Sequence, residues 1–299
     1  MRLAVVHETE YRYDAPVVLS QQLLHLTPRV VEWQRLESHR VTVDPVPGEL
    51  ATRSDWFGNP VTQFLVAAPH TALAVRAESV VETLPRLAQV AGEAGAPWDE
   101  LRARLAATEG EPLLDAARFL YESPHVETFR ELADYAAPSF PAGRGVLAAA
   151  FDLAHRIHAD FAFDPRATTV STPLREVLKR RRGVCQDFAH LMVGCLRTLG
   201  LAARYVSGYI LPTPPPGRPR LVGADASHAW VGVYCPLAGW VDMDPTNDCL
   251  VDDEHVTLAW GRDFSDVTPM RGVILGGGEQ RLAVRVTVSP PDSLESPHG

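Results

Sequence analysis

The stretch Arg181-Arg182-Gly183-Val184-Cys185-Gln186-Asp187-Phe188-Ala189-His190 decides how this chain is read. From Cys185 to about Leu199 the apolar residues Phe188, Leu191, Met192, Cys195, Leu196 and Leu199 recur at i, i+3, i+4 and i+7, one buried stripe of a helix. Gly200 follows where a helix C-terminus favours positive φ. Cys185 therefore opens the helix and meets the positive end of its dipole and N–H groups that lack intrahelical partners. Both favour thiolate over thiol, and Arg180, Arg181 and Arg182 add positive field. The same N–H groups can receive the oxyanion of an acyl-transfer intermediate. Asp187 works against the thiolate but suits the first helical turn. A cysteine taken alone is more often a small core residue than a nucleophile. The helix start and the residues downstream reverse that order here.

A thiol nucleophile needs a base, and His228 lies 43 residues on (228 − 185), opening a strand after the proline-rich loop Pro212 to Pro219. An isolated histidine more often merely ends a loop, so the test is its neighbourhood. If Cys235-Pro236-Leu237-Ala238-Gly239 is a five-residue hairpin loop, Tyr234 pairs with Trp240 and paired numbers sum to 474. His228 then faces Thr246, and Asp244 is its diagonal neighbour on the same face, about 7–8 Å away and within side-chain reach. Asp242 shares that face but lies one step further off. A four-residue loop would turn both aspartates to the other face. Asp244 is thus the candidate acid that orients the imidazole. Gln186 and Trp230 are near in sequence, but neither is identifiable as a second oxyanion donor. Tyr205 and Tyr209 alternate with Ser207 on one strand face, where packing is the simpler role.

Other constellations carry less. His155 and His158 form an i, i+3 pair that can bind metal, but no third ligand is evident. His190 stands five residues after Cys185, about 140° round the helix, and should point away from the thiol. The four cysteines (Cys185, Cys195, Cys235, Cys249) show no C-x-x-C, and no D-x-D-x-D-G calcium loop is present. No cofactor or metal is implied.

In the 299 residues, 46% are hydrophobic and 22% charged, a composition able to bury a sizeable core. The net charge of −9, with no long block of one sign, argues against nucleic-acid binding. Met1 to about Thr27 alternates apolar and charged residues, neither a signal peptide nor a membrane span, so a cytoplasmic location is expected.

Residues 1–83 read as strands: Ala4–Tyr13, Val17–Leu26, Leu36–Val43, Val61–Ala67 and Ala72–Glu82, separated by Pro, Gly or Asn, a pattern predicting a small antiparallel β-sandwich. Residues 84–145 read as a helical connecting region with windows at Trp98–Thr108 and Pro112–Tyr121; a further window spans Gly145–His158. A short helix is expected over Leu174–Arg182, ending at Gly183. Strands are expected over Ala203–Ile210, His228–Cys235, Trp240–Asp244, Gly272–Leu275 and Arg281–Val288. Residues 146–290 are accordingly expected to form the catalytic domain and to include its C-terminal strands, with 291–299 a frayed tail.

At this point four separated stretches resemble bacterial transglutaminase-like proteins. They are Gly183-Val184-Cys185-Gln186-Asp187-Phe188-Ala189, Gly200 to Tyr209, His228-Ala229-Trp230-Val231, and Gly239-Trp240-Val241-Asp242-Met243-Asp244-Pro245-Thr246-Asn247. His7 to Tyr13 and Asp55-Trp56-Phe57-Gly58-Asn59 resemble the β-rich domain that precedes this core in one bacterial branch. The resemblance implies an α+β, papain-like core in which the helix bearing the cysteine packs on an antiparallel sheet. It also implies Cys185 as nucleophile, His228 as base, Asp244 as orienter, and an acyl-enzyme intermediate. Members of the family are transglutaminases, peptidases or amidases, and some are inactive; this chain keeps all three positions. The function expected is cleavage or transfer of an amide through a thioester on a protein or peptide substrate, with hydrolysis favoured because water is the default acceptor. The rival reading is a non-catalytic module that holds a peptide in the same cleft.

Overall fold

The computed structural model describes residues 1–86, 95–107, 111–212 and 227–291. Most of the loop expected at Pro212–Pro219, the end of the Trp98–Thr108 window and the tail after Pro291 lie outside the described residues.

The N-terminal half is built on one very long strand, β1 (Arg2–Leu24), with β2 (Gln34–Asp44), β3 (Glu49–Ser54), β4 (Pro60–Val66) and β5 (His70–Thr83). The sequence suggested two strands where β1 is continuous. Its pairing register breaks between Arg12 and Val17, around Pro16, which has no N–H to donate to a ladder. The two halves of β1 therefore serve different neighbours: Arg2–Arg12 pairs with β5, and Ser20–Leu24 pairs with β4. Val43, Leu73, Val75 and Ala77 on one side meet Leu24, Phe64 and Val66 on the other in a shared core, the filling of a sandwich. The strand β3 was not foreseen, because its six residues are all exposed and carry no apolar alternation.

Helices follow: α1 (Trp98–Ala107), α2 (Glu111–Ala117), α3 (Arg130–Ala136) and α4 (Val146–Asp160). A two-residue strand β6 (Ala162–Phe163) then pairs in parallel with β7 (Arg182–Gly183), on the far side of α5 (Leu174–Arg180). The next helix, α6 (Cys185–Thr198), runs at the centre of this half, and Asp187 to Arg197 are all buried. The expected single stripe is therefore too narrow. α6 packs on the sheet by one side and against α3, α4 and α5 by the others. Gly194 allows this: a Cβ there would stand 2.8 Å from Leu174 Cδ2 and 3.1 Å from Leu132 Cδ1.

The sheet beneath α6 is antiparallel, with β8 (Ala203–Ile210), β9 (His228–Cys235), β10 (Gly239–Asp244), β11 (Cys249–Leu250) and β12 (His255–Gly261) in the order β11-β10-β9-β8-β12. The fold is thus the α+β arrangement expected, a helix on an antiparallel sheet preceded by a β-sandwich. Short α7 (Phe264–Val267) leads to β13 (Met270–Gly276) and β14 (Gln280–Ser289). The domain boundaries drawn from sequence put these last strands in the catalytic half. Their hydrogen bonds go instead to β1, with Leu19 opposite Leu275 and Val6 opposite Thr287. Strand partners far apart in sequence leave no local signal, which is why the chain's end returns unannounced to its beginning.

The two halves meet at the free edge of β12, whose backbone is satisfied by side-chain amides. Gln34 donates to Thr257 O at 2.8 Å and accepts from Thr257 N at 2.7 Å; Asn59 does the same to Trp260 at 2.9 Å in both directions. Each amide stands in for one residue of a neighbouring strand and closes an edge that would otherwise be open to pairing. Among the described residues no helix is long and apolar enough to cross a membrane.

Candidate active site

Cys185 sits where the helix start was expected, half-buried. Its position is set by Asp187, three residues past the N-cap Val184. The Asp187 carboxylate turns back to accept from Val184 N at 2.8 Å and from Thr168 Oγ1 at 2.6 Å, the returning half of a capping box. Burial raises the Asp187 pKa, and those two bonds pull the other way. Gly183 makes room: a Cβ there would lie 2.5 Å from Asp187 Oδ2. Gly183 was expected to end α5. Arg181 ends it instead, at φ 53, and the glycine is needed for close approach.

The arginines expected to lend field to the thiol are engaged elsewhere. Arg180 bonds Glu176 at 2.7 Å, Arg181 bonds Asp160 at 2.9 Å, and Arg182 lies 4.0 Å from Asp164. All three are exposed, so solvent and their own carboxylates screen them.

The hairpin has the register that sums to 474: Trp240 pairs with Tyr234, and Asp242 with Gly232. Asp244 then falls on the same face as His228, and His228 Nε2 stands 2.6 Å from Asp244 Oδ2. Cys185 is an electrostatic neighbour of His228 and favours its imidazolium, so the structure brings all three candidate residues together. Burial disfavours the His228 imidazolium, but the bond to Asp244 and the neighbouring Cys185 outweigh it and raise its pKa to about 10. For Asp244, burial favours the neutral acid, while bonds from His228, His255 and Asn247 hold it well below the usual carboxylate range.

Two residues of this network were not assigned from sequence. Asn247 donates its side-chain amide to Asp244 Oδ2 at 2.7 Å and lies 3.2 Å from His228 Nε2, while the backbone N–H groups of Thr246 and Asn247 bond Asp244 Oδ1 at 2.8 and 3.2 Å. The Asp-Pro-Thr-Asn spacing was the available signal, since an aspartate bonding two residues ahead is an Asx turn. His255 Nε2 stands 3.5 Å from Asp244 Oδ2, and its ring meets Trp230 edge-on. Nothing in the sequence announces it, because it crosses from β12 over the sheet's end. The donor atoms of His228, Asp244 and His255 all fall within 4.8 Å of one another, so a metal there would have to break the 2.6 Å His228–Asp244 bond.

The remaining candidates separate cleanly. Trp230 is fully buried and donates Nε1 to Asp242 at 3.3 Å, so its indole is not an oxyanion donor. Asp242 is no spare for Asp244: it contacts Arg86 at 2.8 Å and Arg204 at 3.4 Å. His155 and His158 bond Asp248 at 2.7 Å and Thr246 O at 2.9 Å, so the pair buttresses the turn behind Asp244. His190 points away from the thiol, accepting from Phe264 N at 3.1 Å and stacking on His125. The Tyr209 hydroxyl and His7 Nδ1 are hydrogen-bonded at 2.8 Å, tying β8 to β1.

Comparisons with known proteins fall on the same parts of the chain. Residues 3–82 match the bacterial transglutaminase-like N-terminal region, and residues 136–245 match the transglutaminase-like superfamily. An uncharacterized protein of Mycobacterium tuberculosis is 41% identical over 296 residues, covering 97% of this chain and 93% of its own. A protein-glutamine gamma-glutamyltransferase of Pseudomonas aeruginosa is 36% identical over 92 residues, 30% of this chain and 14% of its own. The crystal structure of a protein named "putative cysteine protease", from Cytophaga hutchinsonii, superposes with a TM-score of 0.75 at 20% identity, covering 98% of this chain and 91% of that one, which speaks to fold alone. With two family regions in order and a full-length relative at this identity, the chain belongs to the transglutaminase-like superfamily, with the N-terminal region of its bacterial members.

Proposed function

We propose that the protein is a thiol enzyme that opens an amide of a protein or peptide substrate through a thioester on Cys185. The observation that carries the reading is one constellation: Cys185 at the start of α6 beside His228, and His228 held at 2.6 Å by a buried, ionised Asp244. In this reading Cys185 passes its proton to His228, and its sulfur adds to the substrate carbonyl. The N–H groups at the start of α6 receive the oxyanion. His228 then returns the proton to the leaving amine as the C–N bond breaks. Asp244 stays ionised and stabilises the imidazolium throughout. Water next attacks the thioester with His228 as base, releasing the acid and restoring the thiol. An amine in place of water would make a new amide, the acceptor that the name of the Pseudomonas relative suggests. We favour water because it is the default acceptor of an open thioester.

The test is alkylation of the native protein with iodoacetamide, followed by peptide mass mapping. Cys185 should label faster than Cys195, Cys235 and Cys249, and His228→Ala should remove that advantage. Incubation with a peptide library should then trap a Cys185 acyl adduct, and added methylamine reports on the acceptor. Equal labelling of all four thiols, with no adduct, would instead favour a non-catalytic peptide-binding cleft.

A further inference from the structure

Asp244 is fully buried, and most of the donors around its carboxylate come from its own sheet hairpin or the turn behind it: His228, the Thr246 and Asn247 N–H groups and the Asn247 amide. His255 is the exception. It arrives from β12 and stands 3.5 Å from Asp244 Oδ2, at the long end of hydrogen-bond reach. An ionised carboxylate only accepts, so His255 Nε2 is the donor. The ring's other nitrogen, Nδ1, is buried with no hydrogen-bond partner among the described residues. Trp230 meets the same ring edge-on, with centroids 5.2 Å apart. The reach of His255 to Asp244 is therefore set by where β12 lies.

β12 is an edge strand of the catalytic sheet, next to β8, and its pairing loses register between Thr257 and Ala259, just past His255. Its other side is held from the N-terminal half. Gln34, the first residue of β2, closes both backbone groups of Thr257 at 2.8 and 2.7 Å. Thr83, the last residue of β5, donates its hydroxyl to Asp253 O at 2.5 Å. Arg86 donates its backbone N–H to Asp252 Oδ1 at 2.7 Å, and Asp252 O accepts from His255 N at 3.0 Å. These ties bracket His255 on both sides along the chain. Gln34 and Thr83 are buried, so water does not compete for their bonds.

We propose that the β-sandwich is a working part of the active site: through Gln34, Thr83 and Arg86 it fixes the start of β12, and so places His255 as a positioning residue that holds Asp244 toward His228. A hydrogen bond already at the long end is the contact most sensitive to such placement, since a shift of about half an ångström takes it out of range. Without His255, the buried Oδ2 loses a donor that water cannot replace. The carboxylate then settles among its remaining donors, and the 2.6 Å bond to His228 lengthens. The geometry of this coupling is independent of the chemistry; its consequence at Cys185 rests on the thiol-enzyme reading.

The test is proton NMR of the full chain, with iodoacetamide labelling of Cys185 beside it. A short bond between imidazolium and carboxylate carries its proton far downfield, and His228→Gln identifies that resonance by removing it. His255→Leu should move the resonance upfield and slow Cys185 labelling about fivefold, the worth of one ordinary hydrogen bond. His255→Gln, whose amide can donate from nearly the same place, should restore both. Gln34→Met, which keeps shape and removes the tie to Thr257, should move the resonance in the same direction as His255→Leu. Thr83→Val is the milder second variant should Gln34→Met not fold, with the same direction expected. An unmoved resonance in folded His255→Leu, no restoration by His255→Gln, or an unmoved resonance in the folded sandwich variants would each overturn the proposal. The expected shifts in a protein whose Cys185 labels no faster than its other thiols would support the positioning and overturn the thiol-enzyme reading alone.

Discussion

Replacing Asp242 by asparagine should damage stability and spare the chemistry, although Asp242 lies two residues from Asp244 on the same sheet face. The Asp242 side chain is 1% exposed, and those of its partners Arg86 and Arg204 are 9% and 3% exposed. Asparagine keeps an oxygen for Trp230 Nε1, so shape and that hydrogen bond survive. The charge does not, and two guanidiniums remain buried with no carboxylate in contact. Removing one partner of a buried ion pair costs about 3–5 kcal/mol. The upper part of that range applies here, since a single acid serves two bases. At roughly 2–4 °C per kcal/mol for a chain of this size, melting should fall by about 10 °C or more. Urea unfolding followed by tryptophan fluorescence measures the loss, and iodoacetamide labelling of Cys185 in the still-folded variant measures the chemistry. The labelling rate should stay within about threefold of wild type, because no hydrogen bond of His228 is touched. A stability loss under about 1 kcal/mol, or a Cys185 that loses its reactivity in a folded protein, would refute the assignment of Asp242 to the buried arginines.

Asp244→Asn is the opposite case: with the charge gone from the 2.6 Å bond to His228, turnover should fall by roughly 10²–10⁴, as for orienting acids in comparable triads, and acyl-adduct formation at Cys185 reads it. A larger effect on activity from Asp242→Asn than from Asp244→Asn, per folded molecule, would contradict the observed register. Gly183→Ala should force Asp187 aside, at a cost of about 1 kcal/mol of helix capping, and should slow Cys185 labelling; unchanged stability and labelling would show that the close approach does not matter. The raised His228 pKa has a sign that can be checked. Its contribution to stability is fully present below the unfolded value of 6.5, declines as pH rises, and is gone above about 10. The difference in urea-unfolding free energy between wild type and His228→Gln should shrink across that window, and a difference independent of pH would refute the imidazolium.

Much of the site was legible because it rests on local rules. The helix that begins at Cys185 followed from apolar spacing, and the choice of Asp244 over Asp242 followed from one hairpin loop length. Strand parity then converts a loop length into a side-chain face, which is why so little sequence located the acid. Where the sequence reading failed, the missing information was spatial. Arg180 to Arg182 look like a positive field until their carboxylate partners, four to 21 residues away in sequence, are seen. His155 and His158 look like half a metal site until the turn they support folds against them.

By itself, then, the sequence determined the periodic elements and the cysteine at a helix start, because each depends on residues close in the chain; it set Asp244 beside His228 only on the condition of one hairpin loop length, which the structure's register supplies. Tertiary structure alone decided the return of β13 and β14 to β1, the approach of His255 to Asp244, and the sealing of the β12 edge by Gln34 and Asn59. It also decided the convergence of Arg86 and Arg204 on Asp242. The physical reason is common to all of these. Contacts between distant segments are fixed by the packing of whole layers against one another, and no local periodicity records which partner a strand edge or a buried charge will find.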